Sequence, residues 1–159
     1  MGVPSDFENL IRQHSARVRR IARRYAASGA VDDLVQDILV RLWRSYPSFR
    51  STAKVETWIY RVALNASMTY VKDSIRERET KAVMLAQSPM RATAAASTSM
   101  ADVLENFLAR LGDIDASILM MYLDGLTTDE MGGILGISGN AIGVRINRLK
   151  QKFTVTYVD

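Results

Sequence analysis

Apolar residues recur at helical spacing through most of the chain, and the runs end on turn signals. From Ser5 to Ser28, Phe7, Leu10, Ile11, Val18, Ile21 and Tyr25 line one stripe of an amphipathic helix. Ser5 stands as its N-cap, with Glu8 at the capping-box position. Ser28-Gly29 breaks the pattern, and Leu34, Ile38, Leu42 and Tyr46 then mark one face of a helix over 31–46, which Pro47 stops. After a loop at 47–55, Ile59, Val62, Ala63, Ala66 and Tyr70 stripe a third helix over 56–75, and three such helices predict a bundle. Residues 76–100, RERETKAVMLAQSPMRATAAASTSM, pass from charged to Ala/Ser/Thr-rich and hold no sustained apolar face, which predicts a linker, helical at most at its start. Helical spacing resumes over 101–111, 114–124, 128–135 and 138–153, where Ile142, Ile146, Leu149 and Phe153 form a seam. The predicted fold is all-α, with two small helical domains, 5–75 and 101–154, joined by a flexible linker at 76–100.

The stretch MGGILGISGNAIGVRINRLK, 131–150, spends five glycines in an otherwise helical pattern, at roughly 1 kcal/mol each against alanine inside a helix. Thr128 is expected to cap a short helix that Gly136 ends at the C′ position. Ile137 then enters the core, and Ser138 caps the next helix, which runs to about Phe153. Two short helices around a three- or four-residue turn with glycine form the DNA-binding helix-turn-helix pattern. Gly132 stands where the first helix must pass close to the second, and Gly139, in the first turn of the second, would let the backbone approach a phosphate. Gly143 is expected on the face opposite the apolar seam, where packing does not demand it. A helical hairpin that binds nothing would show the same glycines. What favours DNA is a basic stripe beside the seam, Arg145, Arg148 and Lys152 at i, i+3 and i+7, suited to neutralising phosphates.

Composition narrows the class of function. Hydrophobic content of 48% is enough for a core. The net charge of +4 is unevenly spread: residues 1–75 are net basic and 101–159 net acidic, although four of the five basic residues there fall within 145–152. Cysteine is absent and His14 is the single histidine, so neither a thiolate zinc site nor a clustered base set can be assembled, and no metal, cofactor or catalytic residue is expected. The neighbouring pairs Asp32/Asp33 and Asp129/Glu130 point apart on a helix and do not make a shared carboxylate site. No apolar stretch approaches the length of a signal peptide or a membrane span, and a cytoplasmic protein is expected.

At DDLVQDILVRLWRSYPSFRSTAKVETWIYRVALN, 32–65, the chain resembles region 2 of bacterial extracytoplasmic-function sigma factors of the sigma-70 family. LTTDEMGGILGISGNAIGVRINRLKQKF, 126–153, is similar to their region 4, in the same order and across the same kind of linker. The resemblance implies an alternative transcription initiation factor that binds core RNA polymerase at its β′ clamp helices and β flap. It would recognise −35 and −10 promoter elements and assist melting, with an anti-sigma factor as a further partner and no membrane insertion. Its place would be the cytoplasm, on the nucleoid when active.

Residue by residue, the resemblance puts Asp32, Asp33, Leu34, Gln36, Asp37, Leu42 and Trp43 in the clamp-docking segment. Periodicity assigns Leu34, Ile38 and Leu42 to the core and leaves Asp33, Gln36 and Asp37 to the polymerase. The loop 48–56 is similar to the one that captures a flipped −10 base. Phe49 would stack on that base, for about 1–3 kcal/mol, while Arg50 and Lys54 hold phosphate beside Ser51 and Thr52. Asn65 can hydrogen-bond a base edge, Lys72, Arg76 and Arg78 continue the basic face towards duplex, and Trp58 is assigned to the core. The −35 set is Ser138, Asn140, Gly143, Val144, Arg145, Asn147, Arg148 and Lys152.

Two departures stand out. The family often carries Lys or Arg at the place of Gly143 and Ser at that of Val144, which here would touch a thymine methyl. Thr69 stands where an Asp is usual. A different reading, a stand-alone helix-turn-helix regulator with an N-terminal helical interaction domain, is separated from the first by binding to core polymerase.

Overall fold

Among the residues that the computed structural model describes, 5–49, 54–81 and 99–158 (side chains of 78–81 aside), seven α-helices and no strand are found. The chain divides into two compact units, Met1–Lys81 and Ala82–Asp159, considered one at a time.

The first unit packs α1 (Ser5–Tyr25), α2 (Val31–Ser45) and α3 (Val55–Lys81) into a three-helix bundle. Its centre holds Val18, Ile21 and Ala22 of α1, Leu34, Ile38 and Leu42 of α2, and Ile59, Tyr60, Ala63 and Ala66 of α3, all closed to solvent or nearly so. Leu10, Ile11, Val62 and Tyr70, on the same stripes, are only half-buried. Helix α1 stops at Tyr25, short of Ser28, which opens a 3-10 turn over Ser28–Ala30. Ser5 is already helical, the first of the described residues. Pro47 lies inside a second 3-10 turn, Tyr46–Ser48, so α2 ends just before it. Helix α3 runs on to Lys81, into the stretch read as linker from 76. RERETK consists of residues that favour or tolerate a helix, and neither Gly nor Pro interrupts it.

The second unit contains α4 (Met100–Ala109), α5 (Asp113–Leu123), α6 (Thr128–Leu135) and α7 (Gly139–Tyr157) around Phe107, Ile118, Met121, Met131, Ile142 and Leu149. The Ser99 hydroxyl caps α4 by accepting from the Asp102 amide at 3.1 Å. Helix α6 is capped by Thr127, not Thr128. The Thr127 hydroxyl accepts from the Glu130 amide, and the Glu130 carboxylate accepts from the Thr127 amide, which completes a capping box. Helix α7 continues past Phe153 to Tyr157, whose ring packs 6.1 Å from Phe107 and 5.1 Å from Phe153. Aromatic contact carries the last turn beyond where the apolar seam stops.

Candidate nucleic-acid interface

The turn between α6 and α7 sets how the second helix is presented. Gly136 adopts φ +72, and the amides of Gly136 and Ile137 both donate to the Gly132 carbonyl, at 2.8 and 3.2 Å. A Cβ on Gly132 would collide with the Ile137 carbonyl oxygen, so the close passage expected there is real. Gly139 is different from the expectation. A Cβ there would meet the Asp129 carboxylate at 2.6 Å, so an acidic side chain occupies the space beside Gly139 where a phosphate was expected to approach. Ile137 is half-buried, and the Ser138 hydroxyl caps α7 by accepting from the Ala141 amide at 3.2 Å.

Burying Ile142, Ile146 and Leu149 turns the opposite side of α7 outward. Asn140, Val144, Asn147, Arg148 and Gln151 share that side and are exposed, Val144 to 51%. Gln151 is not among the residues expected from the sequence, although the spacing of Val144 and Asn147 puts it on the same side. At about 100° per residue, Gly143 lies on a flank, a quarter turn from Ile142, and not opposite the seam. A Cβ at 143 would meet nothing within 4 Å, so packing does not require the glycine. Arg145 occupies the other flank, and its guanidinium donates to Asp115 on α5 at 2.9 Å. That ion pair draws Arg145 out of the basic stripe expected from spacing. Ser138, Arg148 and Lys152 are exposed, and Arg148 and Lys152 have no ion pair among the described residues. Lys150 lies over the Tyr122 ring, 5.0 Å from its centre.

In the first unit Phe49 is half-buried and stacks on Trp58, with ring centres 4.5 Å apart and planes at 21°. One aromatic face expected to be free for a base is therefore taken by a protein ring. Trp58 and Tyr60 are buried, and the Trp58 indole donates to the Ser45 hydroxyl at 3.2 Å. Arg50, Ser51 and Thr52 lie outside the described residues, as does the side chain of Arg78. Lys54, Asn65, Lys72 and Arg76 are exposed. Thr69, exposed on the same helix, donates its hydroxyl to the Asn65 carbonyl at 3.0 Å. Its hydroxyl is thereby spent inside its own helix.

On α2, Asp33, Gln36 and Asp37 are exposed, while Leu34, Ile38 and Leu42 are buried, as their spacing requires. Asp32 pairs with Arg19 at 2.8 Å and Asp37 with Arg41 at 3.3 Å. Two large apolar residues share the outer side: Val40, 45% exposed, and Trp43, 39% exposed with its ring 5.1 Å from Phe7. Val40 escaped the sequence reading because periodicity sorts apolar residues into cores, and nothing local marks one that faces outward. The second unit also carries an apolar groove of about 360 Å³, whose lining includes Phe107, Leu119, Leu123, Ile146 and Phe153.

Residues 10–77 match the family described as Sigma-70 region 2. Over 158 residues the chain is 24% identical to the ECF RNA polymerase sigma-E factor of Escherichia coli (strain K12), covering 91% of this chain and 83% of that one. It is 22% identical to the factor of that name from Haemophilus influenzae, covering 91% and 84%. Among solved structures it resembles the sigma factor RpoE in complex with the anti-sigma factor NepR from Bartonella quintana, at TM-score 0.78 and 18% identity, covering 95% of this chain and 96% of that one. It also resembles CnrH in complex with the cytosolic domain of CnrY, at TM-score 0.63 and 20% identity, covering 94% and 86%. Residues 10–77 thus carry a sigma-70 region 2, and these matches together support an extracytoplasmic-function factor of the sigma-70 family, acting in transcription initiation. Among the described residues no helix is long and apolar enough to cross a membrane.

Proposed function

We propose that the chain works in the cytoplasm, on the nucleoid when active, by binding core RNA polymerase and directing it to promoters through two DNA contacts. The second unit, residues 101–154, reads the −35 element with Asn140, Val144, Asn147 and Arg148, with Ser138 and Lys152 on flanking phosphates. The observation that carries this reading is the outward side of α7, which no element of its own unit covers. Asparagine and arginine supply base-edge hydrogen bonds, and Val144 supplies apolar contact for a thymine methyl. The first unit, residues 5–75, holds the −10 strand with Phe49, Lys54, Asn65 and Lys72, helped by Arg50, Ser51 and Thr52. The outer side of α2 docks on the β′ clamp helices through Asp33, Gln36 and Asp37 with the exposed Trp43, and to these we add Val40. The apolar groove beside α7 receives the β flap. Catalysis rests with the polymerase, and no residue of this chain is assigned to it. An anti-sigma factor, the kind of partner bound to RpoE in the Bartonella quintana structure, holds the chain inactive.

The test is transcription by the chain and bacterial core polymerase from a promoter library randomised across both elements. One preferred −35 and −10 pair should emerge, and only with core enzyme present. Asp37→Arg should weaken association with core polymerase while leaving the thermal melt unchanged. Specific footprints from the chain alone, indifferent to core polymerase, would instead establish the stand-alone regulator.

A further inference from the structure

Arg145 and Asp115 lie 30 residues apart in sequence, on α7 and α5, and meet at 2.9 Å, with side chains 40% and 36% exposed. An ion pair that open to water adds little to folding, and its carboxylate stands next to the helix proposed for DNA. The flanks of a helix lying in the major groove face the groove walls, where phosphates are. Arg145 sits on such a flank, and its charge is already neutralised within the protein. The neighbouring cations Arg148 and Lys152 carry no such partner among the described residues.

We propose that Asp115 limits affinity for DNA: it holds the Arg145 guanidinium on α5, away from phosphate, so that α7 meets the promoter with one cation fewer than its sequence supplies. This rests on the −35 reading of α7. A factor whose non-specific attraction is trimmed in this way depends more on base contacts, because phosphate contacts bind without reading sequence.

The experiment uses the full chain assembled with core polymerase, and measures binding to a promoter duplex across a salt series. Asp115→Asn keeps the shape of the side chain and removes its charge. It should tighten binding at low salt and steepen the log–log salt dependence by about 0.9, the value for one added phosphate contact. Between about 50 and about 200 mM salt this amounts to roughly a 3.5-fold larger loss of affinity than the wild type shows. Adding Arg145→Ala to Asp115→Asn should return the slope to the wild-type value. The −35 preference profile should not change. Three results would overturn the proposal: an unaltered slope in Asp115→Asn, weaker binding together with a lower melting temperature, or Arg145→Ala alone flattening the wild-type slope by about 0.9. The last outcome, which does not depend on how Asp115→Asn folds, would mean that Arg145 already touches phosphate. Failure of the −35 reading itself would show separately, as wild-type holoenzyme with no preference for promoter over random duplex.

Discussion

Gly132→Ala and Gly143→Ala add the same methyl group to neighbouring helices and should move stability in opposite directions. At 132 the new Cβ meets the backbone oxygen of Ile137, which cannot step aside without opening the turn. Overpacking of that kind costs about 1–3 kcal/mol. At 143 the Cβ meets nothing within 4 Å, so alanine should stabilise the second unit by about 0.4–1 kcal/mol through lost freedom in the unfolded chain. Denaturant unfolding followed by circular dichroism reads both, and equal signs would mean that the α6–α7 crossing is not as close as described. Gly143→Arg adds an arm on the flank of the proposed reading face, and should shift the −35 preference or the salt dependence of binding. Phe49 poses a different question, because its ring is stacked on Trp58. Such a pair is worth about 0.5–1.5 kcal/mol beyond its buried area, so Phe49→Ala should lower stability modestly. If the ring also serves the melted strand, Phe49→Ala should leave closed complexes nearly intact and reduce permanganate reactivity near the start site. Equal melting by wild type and variant would leave Phe49 a packing residue only.

Side-chain caps open α4, α6 and α7, at Ser99, Thr127 and Ser138, and that of α6 is reciprocal. Its cap at Thr127 satisfies the Glu130 amide, while Glu130 returns the bond to Thr127. Thr127→Ala should therefore destabilise the second unit by about 1 kcal/mol. Thr128→Ala, one residue on, removes no capping bond and should cost much less in the same unfolding experiment. Helix α2 shows how one element can serve two surfaces: Leu34, Ile38 and Leu42 fill the bundle, and Asp33, Gln36, Asp37, Val40 and Trp43 remain outside. Val40 and Trp43, 45% and 39% exposed, offer apolar surface that a docked partner would cover. Val40→Asp should thus reduce binding to core polymerase while sparing the bundle, since the position contributes nothing to its centre.

For the whole molecule, charge and partner act together. A chain of net charge +4 with a basic first half will attract any duplex. The isolated protein should bind promoter DNA weakly, with steep salt dependence and little preference for sequence. Addition of core polymerase should convert this into specific binding, seen as resistance to competitor DNA at fixed salt. Competitor-resistant binding without polymerase would contradict a division of labour in which the partner presents the two DNA-reading units.

Periodicity was sufficient for the all-α fold, for the order of the helices and for the buried stripes, because burial of an apolar face at 3.6-residue spacing is a local property of the chain. Glycine chemistry was sufficient for the turn at Gly136 and the close passage at Gly132, since only certain backbone conformations and distances call for a missing side chain. The partners of exposed side chains were beyond it. Arg145 looked like one more member of a basic stripe until α5 brought Asp115 to it, and Phe49 looked free until α3 set Trp58 against its ring. Gly143 is a different case: helix geometry alone puts it on the flank, a quarter turn from Ile142, so its place is legible in the sequence. Arg145 and Asp115 are 30 residues apart in sequence, and Phe49 and Trp58 belong to different elements, so which side chains meet is decided by how the elements pack.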